Sequence, residues 1–201
     1  MPHTKPMDTP PPGLEVYGPI QVSTSGGSGK WSDLPPAKLY TVSLIMKSGK
    51  ILLGYKKRGF GKDMYNGFGG KVEPGESVEA AALRELQEEA GISANLVPCG
   101  TIIYFLEGYD HTFHIEVFKA SDYEGEPIET DEMRPEWFDL PGSIEQNSPI
   151  PWDKMWADDR YWYPIMLSGR YFVGRTDCGE TAEDGVKKYI MHRWWFGARD
   201  A

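Results

Sequence analysis

The stretch from Ser77 to Gly91 constrains the fold more than any other. Ala82, Leu86 and Ala90 recur every four residues and give a helix one apolar face. Ser77 suits the N-cap, Glu79 the positive end of the helix dipole, and Gly91 the position just past the last turn. Off the apolar face stand Glu85, Glu88 and Glu89. Their i,i+3 and i,i+4 spacings let all three converge, and like charges so placed cost roughly 0.2–0.5 kcal/mol per pair. Two readings compete. One is a solvated acidic face with Arg84 as ion-pair partner. The other is a ligand set for a divalent cation, which takes hard oxygen donors.

The rest of the chain sets the frame. It has 201 residues, 40% of them hydrophobic, enough for one domain with a core and a tail to spare. A formal net charge of -9 makes a nucleic-acid polymer or an anionic membrane surface a poor partner. Two cysteines, Cys99 and Cys178, make no disulfide framework and read as free thiols of a reducing compartment. The apolar runs, such as Ile51-Leu52-Leu53, are too short to span a bilayer. The first residues carry neither a signal-peptide core nor an Arg-rich transit pattern. We therefore expect a cytoplasmic and also nuclear location, with no support for a mitochondrial one, and nothing demands more than a monomer.

Residues 1–36 hold eight of the sixteen prolines and the run Ser23 to Gly29, and are expected to form a disordered leader. Leu14, Val16, Tyr17, Ile20 and Val22 are its residues equipped to pack. Residues 37–201 are expected to form one domain. Strands are predicted over 39–46, 51–55, 100–106, 111–119 and 136–138, and helices over Ser77–Ala90 and Asp158–Leu167. Residues 59–75 are glycine-rich, and 141–151 form a polar loop. Residues 170–174 and 187–194 suggest a closing hairpin around a long loop. Strands interleaved with two helices indicate an α+β or α/β domain.

Gly70, Glu76, Arg84, Glu85, Leu86, Glu88, Glu89, Gly91 and Ile92 stand in the order G-x5-E-x7-R-E-L-x-E-E-x-G-I. This resembles the complete Nudix box, with nine fixed positions over 23 residues, and it turns the balance towards the metal. The resemblance implies an α+β fold (an α/β/α sandwich), a mixed sheet between helices, and hydrolysis of a phosphoanhydride bond. It also implies Mg2+, for which Mn2+ can substitute. The chemistry suits the pattern. The phosphates repel an attacking water, and a divalent ion neutralises them and acidifies bound water. By the resemblance Glu85, Glu88 and Glu89 are metal ligands or lie beside the metal. Arg84 orients the carboxylates, and Glu76 supports the loop or binds a further ion. The Gly69-Gly70 backbone lies close to metal or phosphate, and Glu132 supplies another metal-site carboxylate or the base.

Further segments narrow the substrate. Leu39-Tyr40-Thr41, Lys56 to Gly61, Asn66 to Val72, Asp131 to Pro135 and Lys154 to Trp162 stand in order. From about Lys38 to Met166 they closely resemble the branch of the family that hydrolyses oxidised purine nucleoside triphosphates to monophosphate and pyrophosphate, of the 8-oxo-dGTP and 2-hydroxy-dATP type. That likeness implies that Asn66, Asp158 and Asp159 read the purine edge. Trp156 and Phe60 would sandwich or wall the base, and Thr41 and Lys56 would line the sugar and phosphate side. Two adjacent Asp in an apolar pocket do not both ionise easily, so one would donate a proton while the other accepts. For Asp158-Asp159 the alternative is simple N-capping of a helix. The alternative functions are a Nudix hydrolase of an unmodified or methylated purine triphosphate, and a catalytically silent nucleotide-binding module. None of the four histidines is assigned to chemistry.

Overall fold

The computed structural model describes residues 9–143, 147–182 and 188–199 in full, and the backbone of 183, 186 and 187. In chain order the strands are β1 (Gln21–Gly27), β2 (Ala37–Lys47), β3 (Lys50–Lys56), β4 (Tyr65–Asn66), β5 (Val97–Leu106), β6 (Thr112–Ala120), β7 (Met133–Asp139), β8 (Tyr171–Glu183) and β9 (Val186–Arg199). The helices are α1 (Val78–Ala90), between β4 and β5, and α2 (Asp159–Leu167), between β7 and β8. Single helical turns stand at Glu15–Tyr17 and Trp152–Lys154. A mixed sheet with a few helices is the α+β class that the sequence predicts. Among the described residues no helix is long and apolar enough to cross a membrane.

The chain gathers into two compact units. The first comprises Met1–Leu39, Cys99–Ile115 and Asp158–Ala201, and the second Tyr40–Pro98 and Glu116–Ala157. This division does not fall at residue 36, where composition changes.

In the first unit β1 pairs antiparallel with β9, β9 antiparallel with β8, and β8 parallel with β5. The expectation of a disordered leader is corrected here for residues 9–36. Leu14 is fully buried in a cluster with Ile103, Val173 and Trp195, against which Tyr17, Ile20, Val22, Trp31 and Leu34 pack. Proline-rich composition predicts disorder only when too little apolar surface is available to offset ordering entropy. Here six large side chains are spread thinly along the leader, and β9 offers β1 a sheet edge. The closing hairpin is also longer than expected, because β8 and β9 pair from Tyr171↔Arg199 to Glu183↔Val186 with no long loop between them.

In the second unit β3 pairs antiparallel with β2, β4 and β7. The apolar face of α1 drives its packing. Leu86 and Ala90 are fully buried in a cluster with Ile45, Leu52, Phe68, Ile92, Ala120 and Met133. Of the predicted loop 141–151, residues 144–146 lie outside the described residues.

Candidate active site

The local chemistry of α1 follows its sequence. Ser77 Oγ accepts the Ala80 N–H at 3.1 Å, and Gly91 stops the helix in the left-handed region at φ 72°, its N–H donating to Gln87 O. The apolar stripe fixes the helix rotation, and that rotation sets the three glutamates differently. The Glu89 side chain is 5% exposed, Glu85 15% and Glu88 59%.

The glycine-rich loop meets this helix. The Gly69 N–H donates to Glu89 Oε2 at 2.8 Å, and the Thr41 N–H donates to Gly70 O at 2.8 Å. A Cβ on Gly70 would lie 2.5 Å from Glu85 Oε1, and one on Gly69 would lie 2.0 Å from the Thr41 carbonyl oxygen. Both glycines are therefore required by close approach. Gly69→Ala is expected to push β2 off the loop and cost about 1–3 kcal/mol, the usual range for overpacking. A chemical denaturation midpoint equal to that of the parent protein would refute the clash.

Three cations thread the carboxylates. Arg84 donates to Glu76 at 2.9 and 3.0 Å, to Glu85 at 2.7 Å and to Glu88 at 3.3 Å. Lys56, at the end of β3, donates to Glu89 Oε1 at 3.0 Å and to Glu132 Oε1 in a shorter contact. Arg58 donates to Glu132 Oε2 at 3.1 Å. Burial pushes the Glu89 carboxyl up to about 7, against the opposing pull of Lys56 and the Gly69 N–H. The hydrogen bond from Lys56 holds Glu132 below the usual carboxylate range. Burial alone would lower Lys56, but Glu89 and Glu132 outweigh it and raise the ammonium above its ordinary value. Lys56, expected on the sugar and phosphate side, bridges two candidate metal ligands.

Five carboxylates thus face three cations, which leaves the cluster negative. Among the described residues no three acidic, histidine or cysteine side chains converge closely enough to hold a metal ion. Arg84 and Lys56 stand between the glutamates. The donor set nevertheless fits a hard divalent cation. It is all oxygen, it carries excess negative charge, and Gly70 lets the Glu85 carboxylate lie against the loop, where a side chain would collide with it.

Phe60 and Trp156 stack on each other at 5.1 Å with planes 24° apart. Rings in contact leave no room for a base between them, so of the two expected arrangements, sandwich or wall, the sandwich is not formed. Asn66 is half-buried and turns its Oδ1 onto the Gly67 N–H at 2.9 Å. Thr41 is buried, and its hydroxyl has no partner.

Asp158 and Asp159 belong to the first unit. Asp158 precedes α2 yet makes no capping hydrogen bond, so the capping alternative fails. It is 1% exposed, and neither carboxylate oxygen has a partner. Burial drives its pKa upward; its own backbone N–H and then the nearby Trp162 indole temper the rise, and the indole N–H donates to Asp159 Oδ1 at 3.1 Å. Burial pushes the Tyr163 and Cys178 pKa values up, and the charge of the neighbouring aspartates, Asp159 and Asp158 for Tyr163 and Asp158 and Asp177 for Cys178, adds to the rise. Sequence reasoning missed Thr176 of β8. Strand alternation puts it on the face of Phe172, which stacks on Trp162, and of Cys178, and its buried hydroxyl has no partner. No sequence signal marks an unpaired hydroxyl; only the fold does.

The NUDIX domain model matches residues 38–154. The chain is 47% identical over 139 residues to an oxidized purine nucleoside triphosphate hydrolase of Danio rerio, covering 69% of this chain and 85% of that one. To the Mus musculus protein of the same description it is 42% identical, with the same coverage. Among solved structures, the mutator MutT protein of Bacillus halodurans superposes with a TM-score of 0.54 at 24% identity, over 77% of this chain and 97% of that one. This chain belongs to the Nudix hydrolase family.

Proposed function

We propose that the protein hydrolyses oxidised purine nucleoside triphosphates, of the 8-oxo-dGTP and 2-hydroxy-dATP type, to monophosphate and pyrophosphate, and so clears them from the nucleotide pool. Glu85, Glu88, Glu89 and Glu132 would hold Mg2+, with Mn2+ as a substitute. When bound, the ion would supply charge neutralisation at the phosphates and acidification of a water. The chain's own residues do the rest. Arg84 fixes Glu85 through a 2.7 Å bond and keeps Glu88 near it. Glu88, the most exposed of the three, is the carboxylate assigned to accept a proton from the attacking water. The Gly69 N–H aligns Glu89.

The observation that carries the substrate reading is Asp158. A buried carboxyl with two unpartnered oxygens is costly unless a ligand supplies partners. With its pKa raised by burial it keeps its proton to a higher pH and can donate to a purine oxygen while its other oxygen accepts an N–H. The likeness to the fish and mouse hydrolases supports the same assignment. Pyrophosphate release from 8-oxo-dGTP against dGTP, and from 2-hydroxy-dATP against dATP, tests it. The damaged member of each pair is expected to be preferred. Asp158→Asn, which cannot change its proton, is expected to reduce the preference about 10- to 200-fold. Equal cutting of each pair by the parent protein would remove the oxidised-base reading and leave the Nudix chemistry standing.

A further inference from the structure

Lys56 is the cation in contact with Glu89, and it joins that residue to Glu132. The two carboxylates come from different elements, the last turn of α1 and the loop before β7. Arg84 serves Glu76, Glu85 and Glu88. The Lys56 side chain is only 15% exposed, so this is an enclosed contact and not a solvated surface pair. Without its ammonium, Glu89 would repel Glu132 in a partly desolvated setting, where such repulsion is strong.

We propose that Lys56 is a tethered stand-in for the divalent cation. It holds Glu89 and Glu132 together before the ion arrives and competes with it for the same oxygens. This rests on the reading of the carboxylates as a metal site. The lysine makes the empty site foldable, and in return it weakens the site for a free ion. It differs from Arg84 in having one compact charge on a flexible stem, which can withdraw; a planar guanidinium bound to three carboxylates cannot do so readily. Once displaced, the ammonium stays within reach of an arriving phosphate.

The test uses the full chain and Mn2+ alone, without nucleotide. Lys56→Met keeps most of the stem and removes the charge. Metal-free Lys56→Met is expected to melt below the parent protein, because Glu89 loses its cation and Glu132 loses one of its two, keeping Arg58. Its affinity for Mn2+, read by the paramagnetic resonance signal of unbound ion, is expected to rise about tenfold, since the competitor is gone. Lys56→Arg is expected to melt near the parent protein and bind Mn2+ no more tightly. A Lys56→Met protein that binds Mn2+ equally or more weakly overturns the proposal, because the lysine then only braces the site. If the parent protein and Lys56→Met both fail to bind Mn2+ at millimolar concentration, the metal reading itself falls and the proposal with it.

Discussion

Glu88→Gln is expected to lower kcat roughly 10²- to 10⁴-fold, the range for loss of a positioned general base, while leaving the thermal midpoint almost unchanged. The two halves follow from one fact. Glu88 is 59% exposed and held by a single 3.3 Å contact to Arg84, so little of the fold depends on its charge. An exposed i,i+4 pair is worth about 0.3–0.5 kcal/mol. Gln keeps the shape and some oxygen donation but cannot accept the proton. Glu85→Gln and Glu89→Gln are poorer tests. Glu85 takes the 2.7 Å bond from Arg84, and Glu89 takes bonds from both Lys56 and Gly69, so stability and chemistry would change together. Pyrophosphate release with Mg2+ should be measured beside a melting curve. A Glu88→Gln protein retaining more than about a tenth of parental kcat would move the base to another carboxylate.

Much of this arrangement is legible before any coordinates. The helix Ser77–Ala90, its cap and its stop are local matters, set by side-chain oxygen at one end and a left-handed glycine at the other. The convergence of Glu85, Glu88 and Glu89 is helical arithmetic. Glu132 is different. Nothing in its surroundings in sequence says that it shares a lysine with Glu89, because that pairing depends on β3 and β7 lying side by side. Likeness puts Lys56 on the phosphate side, and its ammonium rests on two carboxylates. Likeness carries roles and not resting rotamers.

The leader was misread for a related reason. Composition reports what a segment can bury by itself, and Leu14, Tyr17 and Trp31 bury nothing locally. They pack on side chains more than sixty residues further along the chain, Ile103, Val173 and Trp195. The polar anchor of that packing is equally invisible in sequence. Arg175 and Asp177 alternate on β8 like any exposed ion pair, yet both are buried.

Breaking that anchor should produce the largest loss of stability. Arg175 Nε and Nη2 donate to Asp177 Oδ1 and Oδ2 at 2.7 and 3.0 Å. The same guanidinium donates to Pro12 O at 2.8 Å and Ser32 O at 2.6 Å, and the Ser32 N–H donates to Asp177 Oδ2 at 2.8 Å. Its carbon lies 4.9 Å from the centre of the Trp31 ring. Two leader positions twenty residues apart are thus fastened to one buried ion pair. Asp177→Ala strands the guanidinium without its counter-charge and leaves the Ser32 N–H unmet, so we expect a loss of about 3–5 kcal/mol. For a chain of this length that lowers Tm by roughly 6–20 °C. Proteolysis should then open first within residues 9–36, because those residues lose their polar anchor while β8 and β9 keep each other. Replacing both partners, Arg175→Met with Asp177→Leu, should recover much of the loss, since apolar side chains need no partner. If Asp177→Ala costs less than about 1 kcal/mol, as an exposed pair would, the ion pair is not what holds the leader, and the apolar cluster around Leu14 carries it instead.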